Sequence, residues 1–276
     1  KNNILEINNL KVFPNNNSGL KLVKNISLIL KKGKTTCIVG ESGSGKSLTA
    51  LSVMQLLSSQ LNMSGSIVFE GVNLVGLTKE EVRRKRGKDI AMIFQEPMTS
   101  LNPVLTIGYQ IEEAIRVHES MYKTELNNRV EELLNIVGIP TDRINSYPDE
   151  LSGGQRQRVM IAMAISCSPK LLIADEPTTA LDVTVQAQIL NLLNDLKLKF
   201  EMTMLFITHD FGVVEDIADD VAVMYQGKIV EQGTVLGVLK KPKHPYTKAL
   251  LDCVPDSQGK KDLKPINYSA LKKAMG

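Results

Sequence analysis

The sequence contains no tryptophan, few aromatic residues and little net charge. Aromatic side chains make up 4% of its 276 residues, and the formal net charge is +3 at pH 7. Proteins that bind single-stranded nucleic acid stack its bases on aromatic rings inside a strongly basic groove. Since both features are weak here, the composition argues against a nucleic-acid partner.

Cysteines and long apolar runs are also scarce. The three cysteines, Cys37, Cys167 and Cys253, lie far apart and form no C-x-x-C pair, so the spacing predicts neither a zinc site nor a disulfide framework. No apolar run approaches the roughly 20 residues of a membrane-spanning helix, and the sequence does not open with a signal-peptide pattern. If the protein works at a membrane, we expect it to do so from the cytosolic side, through a partner.

The apolar pattern predicts mainly strands at the start of the chain, a helical middle, and then strands that alternate with helices. Helical spacing is expected from 46 to about 57, through a mostly helical insert at about 98–165, and after Asp182, which can cap a helix. Strands alternating with helices favour an α/β fold with a mainly parallel sheet. Past residue 240 the sequence turns polar, which predicts a tail with at most one short helix. The predicted strands are 4–7, 10–13, 22–30, 36–39, 66–70, 90–94, 171–174 and 203–208, with a hairpin of 221–225 and 228–231.

The first chemical motif is a glycine-rich loop between a predicted strand and a predicted helix. Residues 40–47 read GESGSGKS and fit G-x-x-x-x-G-K-[ST]. Successive backbone N–H groups and a helix N-terminus bind phosphate in such loops. We expect Lys46 to reach the β- and γ-phosphates of ATP and the Ser47 hydroxyl to bind Mg²⁺. The residues assigned to the nucleotide here are Gly40, Ser42, Gly43, Ser44, Gly45, Lys46, Ser47 and Leu48.

The second motif is an apolar strand, 171–174, that ends in Asp175 and Glu176. We expect Asp175 to hold Mg²⁺, and Glu176 to polarise the attacking water as phosphoryl transfer requires. Alone, such a strand end is more often a solvated turn. Beside the phosphate loop, the chemical interpretation is favoured.

The third motif, Leu151-Ser-Gly-Gly-Gln155, is a second glycine-rich loop before a helical stretch at 156–167. It predicts a second anion site at a helix N-terminus. One nucleotide does not need two such loops from one chain, whereas a site shared between two chains does.

The combination of LSGGQ with the phosphate loop resembles the nucleotide-binding domain of ABC (ATP-binding cassette) ATPases over about residues 4–240. The resemblance implies a RecA-like, mainly parallel sheet, an N-terminal antiparallel β subdomain and an inserted helical subdomain, within a domain of residues 1–240 followed by a tail at 241–276. It also implies a head-to-tail dimer. ATP would lie between the phosphate loop of one copy and four residues of the other, namely Ser152, Gly153, Gly154 and Gln155.

Further site residues follow from the same resemblance. Gln95 resembles the Q-loop glutamine that touches Mg²⁺ and the water, and His209 resembles the switch histidine that contacts the γ-phosphate. Asp182 belongs to a segment, Ala180-Leu-Asp182, similar to the D-loop at the dimer interface. Phe13 is the candidate for stacking on adenine. In the family pattern one residue separates the aromatic residue from the position that matches Val12, whereas Phe13 follows Val12 directly. A plain core phenylalanine is therefore the alternative.

Two segments resemble the ATPase subunits of dipeptide, oligopeptide and nickel importers, namely 92–108 and 243–251. This resemblance implies a heterodimer with a second ATPase subunit, two transmembrane permease subunits and an extracytoplasmic solute-binding protein, with this chain peripheral on the cytoplasmic face of the cell membrane. The solute would be a dipeptide or oligopeptide, or alternatively nickel or a metallophore. Four thiolates normally hold an iron–sulfur cluster, and since Cys253 is the only cysteine in the tail, no such cluster is expected.

Other functions within the ABC ATPases are less well supported by the sequence. Soluble ABC ATPases of translation normally carry two cassettes in one chain, and those of DNA repair carry a long coiled coil. A non-hydrolysing regulatory module would lack the residues that match Glu176 and His209. The basic run 83–86 is read as a solvated helix or loop, and His118 and His244 have no companions at metal-ligand spacing.

Overall fold

The computed structural model describes residues 2–16, 19–95, 100–179, 181–253 and 271. Three predicted features fall partly outside these ranges: the segment around Glu96 and Pro97, Ala180 of the D-loop-like segment, and most of the tail. The chain forms two compact units. The first unit consists of Lys1–Val75 with Phe206–Gly276, and the second unit of Gly76–Leu205.

The elements of the described residues are numbered in chain order. The strands are β1 Asn3–Pro14, β2 Val23–Lys31, β3 Thr35–Val39, β4 Leu61–Phe69, β5 Val72–Asn73, β6 Ile90–Ile93, β7 Leu171–Asp175, β8 Thr203–Thr208, β9 Asp220–Tyr225 and β10 Lys228–Thr234. The α-helices are α1 Lys46–Val53, α2 Lys79–Lys85, α3 Ile107–Arg116, α4 Lys123–Ile136, α5 Gly153–Ile165, α6 Val183–Lys199, α7 Phe211–Ile217, α8 Val235–Lys240 and α9 Pro245–Asp252.

The first unit contains an antiparallel sheet with the strand order β2-β1-β4-β5. The predicted strands 4–7 and 10–13 are two halves of β1, joined by a bulge at Asn9, whose φ is +51°. Before the bulge Leu5 and Ile7 are buried, and after it Leu10 and Val12 are. The extra residue changes which positions face the core.

The remaining strands of the first unit form a mainly parallel arrangement. Strand β8 begins in the second unit and ends in the first, where the order is β10-β9-β3-β8. Strands β3 and β9 pair in parallel, and β9 and β10 form the predicted antiparallel hairpin. Both residues of its turn have positive φ, +47° at Gln226 and +82° at Gly227, as a two-residue type I′ turn requires.

The second unit contains parallel strands β6 and β7, beside β8 in the order β8-β7-β6, and the helices α2 to α6. Helix α3 packs on α4 and α5. Helix α4 buries Val130, Leu133 and Leu134, and Gly138 follows it with a φ of +74°. The α/β class expected from the sequence is therefore confirmed.

The basic run 83–86 has the simpler of its two interpretations, because it lies at the end of a solvated helix. In α2, the basic run pairs with its own helix, because Arg83 and Arg84 contact Glu80 at 2.9 and 3.4 Å on the exposed face.

Cys37 is fully buried in β3, and burial raises the pKa of its thiol, which keeps it protonated. Among the helices of the described residues, none is long and apolar enough to cross a bilayer.

Candidate functional site

The phosphate loop follows β3 and leads into α1, as the motif predicts. Helix α1 begins at Lys46, and Gly45 precedes it with a φ of +103°, a conformation that favours glycine. Space also demands glycine at Gly40, where the neighbour is backbone, whereas the neighbour of Gly45 is the end of a flexible side chain. A Cβ at Gly40 would overlap the backbone carbonyl oxygen of Met224, and a Cβ at Gly45 would lie 2.8 Å from the Met224 Cε. Strand β9 thus packs directly against the loop.

Lys46 is folded back across the loop. Its side chain is buried, and its Nζ donates hydrogen bonds to the carbonyl oxygens of Gly40 at 2.7 Å and Glu41 at 2.9 Å. Both acceptors are backbone carbonyls of the loop, so they orient the ammonium there. The loop leads into the N-terminus of α1, a place where phosphate groups bind well.

The loop also contains a buried hydroxyl that needs a partner. Ser44 is 4% exposed, and its Oγ has no hydrogen-bond partner among the described residues. A buried polar group left unpaired costs about 1–3 kcal/mol, which a phosphate oxygen would relieve. The first turn of α1 contains no acidic side chain that would repel an anion. The residues present therefore fit a polyphosphate.

The other predicted residues of this motif differ in exposure. Ser42 and Gly43 are exposed in the loop, and Ser47 and Leu48 are partly buried at the start of α1. Gly43 has a φ of +77°.

Asp175 and Glu176 lie at the end of β7, in the second unit. All five residues of β7 are buried, and Asp175 is 5% exposed. Glu176 leaves the strand with a φ of +46°. A left-handed backbone costs a non-glycine residue about 1–2 kcal/mol, and such conformations cluster at functional sites where the surrounding structure holds them.

Gln95 and Glu176, predicted separately from the sequence, lie together in the second unit. The Gln95 Nε2 donates to the Glu176 Oε2 at 3.3 Å. The Thr179 hydroxyl donates to the same oxygen at 3.1 Å. Two neutral donors from different segments thus orient the carboxylate. The sequence analysis did not identify Thr179, although it lies three residues after Glu176 in the same turn.

The Leu151–Gln155 loop opens α5 three residues earlier than predicted. Ser152 Oγ accepts a hydrogen bond from the Gln155 N–H at 3.3 Å, and Gln155 Oε1 accepts one from the Ser152 N–H at 3.0 Å. This is a capping box, whose S-x-x-Q spacing marks the first turn of a helix. The signal was therefore in the sequence. Gly153 and Gly154 form that first turn, and their backbone N–H groups point out of the helix end.

Gly154 packs against α6. A Cβ at Gly154 would lie 2.7 Å from the Val185 Cγ1, and the β-branched valine has little rotamer freedom in a helix. We expect Gly154→Ala to lower the free energy of unfolding by about 1–3 kcal/mol, as overpacking does. Chemical denaturation of the single variants and of Gly154→Ala with Val185→Ala tests this. The double variant should recover most of the loss, and equal losses in both backgrounds would contradict the clash.

The remaining predicted residues lie at element ends. Asp182 caps α6, as expected, because its Oδ1 accepts the Val185 N–H at 2.9 Å. His209 directly follows β8 and is exposed, and Asp210 after it caps α7. Phe13 lies on the face of β1 opposite Val12 and is half-buried. It is not among the buried core side chains, and its stacking on adenine stays a prediction.

Tyr246 in α9 is a further residue next to the phosphate loop. Its hydroxyl accepts a hydrogen bond from the Glu41 N–H at 3.2 Å. The sequence analysis used segment 243–251 only for its resemblance. No local pattern reveals a contact between residues so far apart in the chain.

Known proteins match almost the whole chain. The family described as "ABC transporter" matches residues 23–179, and "Oligopeptide/dipeptide transporter, C-terminal region" matches residues 230–274. The chain is 50% identical over 270 residues to the oligopeptide transport ATP-binding protein OppD of Bacillus subtilis, covering 95% of this chain and 75% of that protein. It is 51% identical to the oligopeptide transport ATP-binding protein AppD of the same organism, with coverages of 94% and 80%.

Solved structures agree with the fold. The dimeric ATP-binding cassette MJ0796 in a post-hydrolysis state, bound to ADP and Pi, has a TM-score of 0.75 at 27% identity and covers 84% of this chain and 99% of its own. The cbiO1 subunit of the cbiONQ ABC transporter complex from Clostridium perfringens also has a TM-score of 0.75, at 28% identity, with coverages of 87% and 92%. With its phosphate loop and its LSGGQ helix, the chain belongs to the ABC transporter family and is one of its ATPases.

Proposed function

We propose that this ATPase energises the import of dipeptides or oligopeptides. The observation that carries the proposal is the match of residues 230–274 to the oligopeptide/dipeptide transporter C-terminal region. The Bacillus subtilis relatives, which are oligopeptide transport ATP-binding proteins, support the same solute class. Peptide is therefore the hypothesis preferred here over the alternative solute, nickel or a metallophore.

The phosphate loop is proposed to bind the phosphates of ATP. Lys46 neutralises the β- and γ-phosphate oxygens with the ammonium that the Gly40 and Glu41 carbonyls orient. The hydroxyl of Ser44 finds its partner in a phosphate oxygen. Backbone N–H groups donate along the loop. The assigned residues are Gly40, Ser42, Gly43, Ser44, Gly45, Lys46, Ser47 and Leu48, with Phe13 for the adenine ring.

Three oxygen-bearing side chains are proposed to hold Mg²⁺, namely those of Ser47, Gln95 and Asp175. Hydroxyl, amide and carboxylate oxygens are the ligands this ion prefers. The ion supplies neutralisation of charge on the phosphate oxygens. Asp175 is suited to such a role because it is a carboxylate held at 5% exposure by a rigid strand end.

Glu176 is proposed to orient the attacking water and accept its proton. Gln95 and Thr179 donate hydrogen bonds to one of its oxygens, which helps to orient the carboxylate before the reaction. His209, at the end of β8, is proposed to donate to the γ-phosphate. Through its contact with Glu176 and its proposed contact with Mg²⁺, Gln95 would link the ion, the attacking water and the general base.

The LSGGQ residues are proposed to serve the nucleotide of a second ATPase subunit. Ser152, Gly153, Gly154 and Gln155 present a capped helix N-terminus, which favours an anion. Asp182 would lie at the same interface. A variant at Ser152 should therefore damage ATP turnover at the partner subunit's phosphate loop, which mixed complexes with one altered subunit would test.

The complete transporter is proposed to contain this chain on the cytoplasmic face of the cell membrane. Its partners would be a second, different ATPase subunit, two transmembrane permease subunits and, indirectly, an extracytoplasmic solute-binding protein. The arrangement follows from the family resemblance of segments 92–108 and 243–251.

The solute class is tested by stimulation of ATP hydrolysis. We expect the reconstituted transporter to hydrolyse ATP faster with a peptide-loaded binding protein than with the same protein kept free of peptide. The measurement is phosphate release at saturating ATP, with nickel or a nickel chelate as the alternative load. A complex that carries Glu176→Gln supplies the background rate. Stimulation by nickel and not by peptide would overturn the peptide assignment.

A further inference from the structure

One peptide group of the phosphate loop is held from both sides. Its carbonyl, that of Gly40, accepts the hydrogen bond from Lys46 Nζ at 2.7 Å. Its N–H, that of Glu41, donates to Tyr246 Oη at 3.2 Å. Because the C=O and N–H of a trans peptide lie in one rigid plane and point in opposite directions, a rotation of this plane would disturb both bonds. The Tyr246 hydroxyl therefore helps to fix the carbonyl that orients Lys46.

The Tyr246 ring is itself firmly placed. It is completely buried, and it packs on the ring of Tyr225 with centroids 4.1 Å apart and an interplanar angle of 34°. Just after Tyr225, the Gly227 N–H donates to the Ser44 carbonyl at 2.9 Å. The loop is thus tied near its start through Tyr246 and near its end through the β9–β10 turn.

The residues that precede Tyr246 anchor the start of α9. The Glu231 carboxylate accepts hydrogen bonds from the backbone N–H groups of Lys243 at 2.8 Å and His244 at 3.0 Å. Partial burial raises the pKa of Glu231, but hydrogen bonds to the carboxylate, these two among them, hold it below its usual value. The His244 Nδ1 accepts the Tyr246 N–H at 3.1 Å, and Pro245 at the first helical position needs no N–H acceptor.

We propose that Tyr246 is a positioning residue for ATP binding, through which the C-terminal region holds the phosphate loop. Tyr246 acts on the nucleotide through the Gly40–Glu41 peptide and the Lys46 ammonium. A charged donor on the carbonyl polarises the peptide and strengthens the bond that its N–H donates, so the two contacts support each other. The inference rests on the proposed role of Lys46 and extends it to a residue 205 positions away from Glu41.

The test compares two tyrosine-to-phenylalanine substitutions in the same ring pair. Tyr246→Phe keeps the stacked ring and removes the hydroxyl from the Glu41 N–H. Tyr225→Phe is the matched control, because its hydroxyl accepts from the Gln226 side chain at 3.1 Å and not from the loop. We expect Tyr246→Phe to raise the Kd of ATP and of ADP about fivefold to tenfold, as loss of one hydrogen bond implies, and Tyr225→Phe to leave both unchanged.

A nucleotide series and a double variant separate positioning from a general loss of structure. Since Lys46 is assigned to the β- and γ-phosphates, Tyr246→Phe should leave AMP binding unchanged. In a Lys46→Met background, Tyr246→Phe should cause no further loss, because interacting residues are not additive. Glu231→Gln, which weakens the anchor of α9, should reproduce the same nucleotide selectivity with a smaller effect. Competition titrations with a fluorescent ATP analogue measure all of these.

Several outcomes would overturn the inference. They are an equal effect of Tyr225→Phe, an equal loss of AMP binding, or an undiminished effect of Tyr246→Phe in the Lys46→Met background. Failure of the underlying role is distinguishable: if Lys46→Met alone leaves the Kd of ATP unchanged, the assignment of Lys46 is wrong. If Lys46→Met weakens binding and Tyr246→Phe does not, only the positioning role of Tyr246 is wrong.

Discussion

Glu176→Gln should bind ATP with an affinity close to that of the unaltered protein and hydrolyse it at least about 100-fold more slowly, since a positioned general base contributes at least that much. Glutamine has the shape of glutamate, and its carbonyl oxygen can still accept from Gln95 Nε2 and the Thr179 hydroxyl. It cannot accept a proton from water. Phosphate release by the reconstituted complex measures turnover, and a nucleotide titration measures binding.

Glu201→Gln is the matched control for Glu176→Gln. Glu201 is an exposed glutamate in the same unit, and its backbone is also left-handed, with a φ of +50°. The same chemical change at the same kind of backbone position should leave turnover unchanged. Hydrolysis at the normal rate by the Glu176→Gln complex would show that another group accepts the proton.

Lys46→Met should raise the Kd of ATP about 30- to 150-fold, which corresponds to about 2–3 kcal/mol for hydrogen bonds to a charged group. Methionine keeps the hydrocarbon part of a side chain that is 3% exposed, so the substitution removes the charge without opening a large cavity. The loss of affinity should be greater for ATP and ADP than for AMP. Equilibrium titration of the three nucleotides measures this selectivity.

Lys228→Met provides the control for the charge change, because Lys228 is an exposed lysine of the same unit at the start of β10. Lys46 also donates hydrogen bonds to the Gly40 and Glu41 carbonyls, so its replacement can change stability as well as binding. Thermal unfolding without nucleotide should therefore be compared for the unaltered protein, Lys46→Met and Lys228→Met. An unchanged Kd of ATP for Lys46→Met would refute its assignment to the phosphates.

The sequence predicted elements well where a single local rule applies. The β9–β10 hairpin was predicted from the sequence, because a two-residue turn depends on a few neighbouring dihedral angles. The start of α5 was missed by three residues although Ser152 and Gln155 form a capping box. In that case the capping-box rule was available in the sequence and gives the correct start of the helix.

Strand β1 shows where local patterning fails. Two short apolar runs predicted two strands, and the structure joins them through a bulge at Asn9. Alternation shows which side chains face the core, but it does not show whether the backbone hydrogen bonds continue through an extra residue. The same bulge sets the face of Phe13, which the sequence left open.

The motifs at Gly40–Ser47 and at Asp175 and Glu176 predicted the chemistry of this protein from the sequence, because phosphate binding and water activation depend on residue types at fixed local spacing. Which side chains hold those groups in place was decided only by the tertiary structure. Gln95 meets Glu176 from 81 positions away, and Tyr246 meets Glu41 from 205 positions away. Such contacts arise when separate strands and helices pack together, and no periodicity or motif within one segment encodes them.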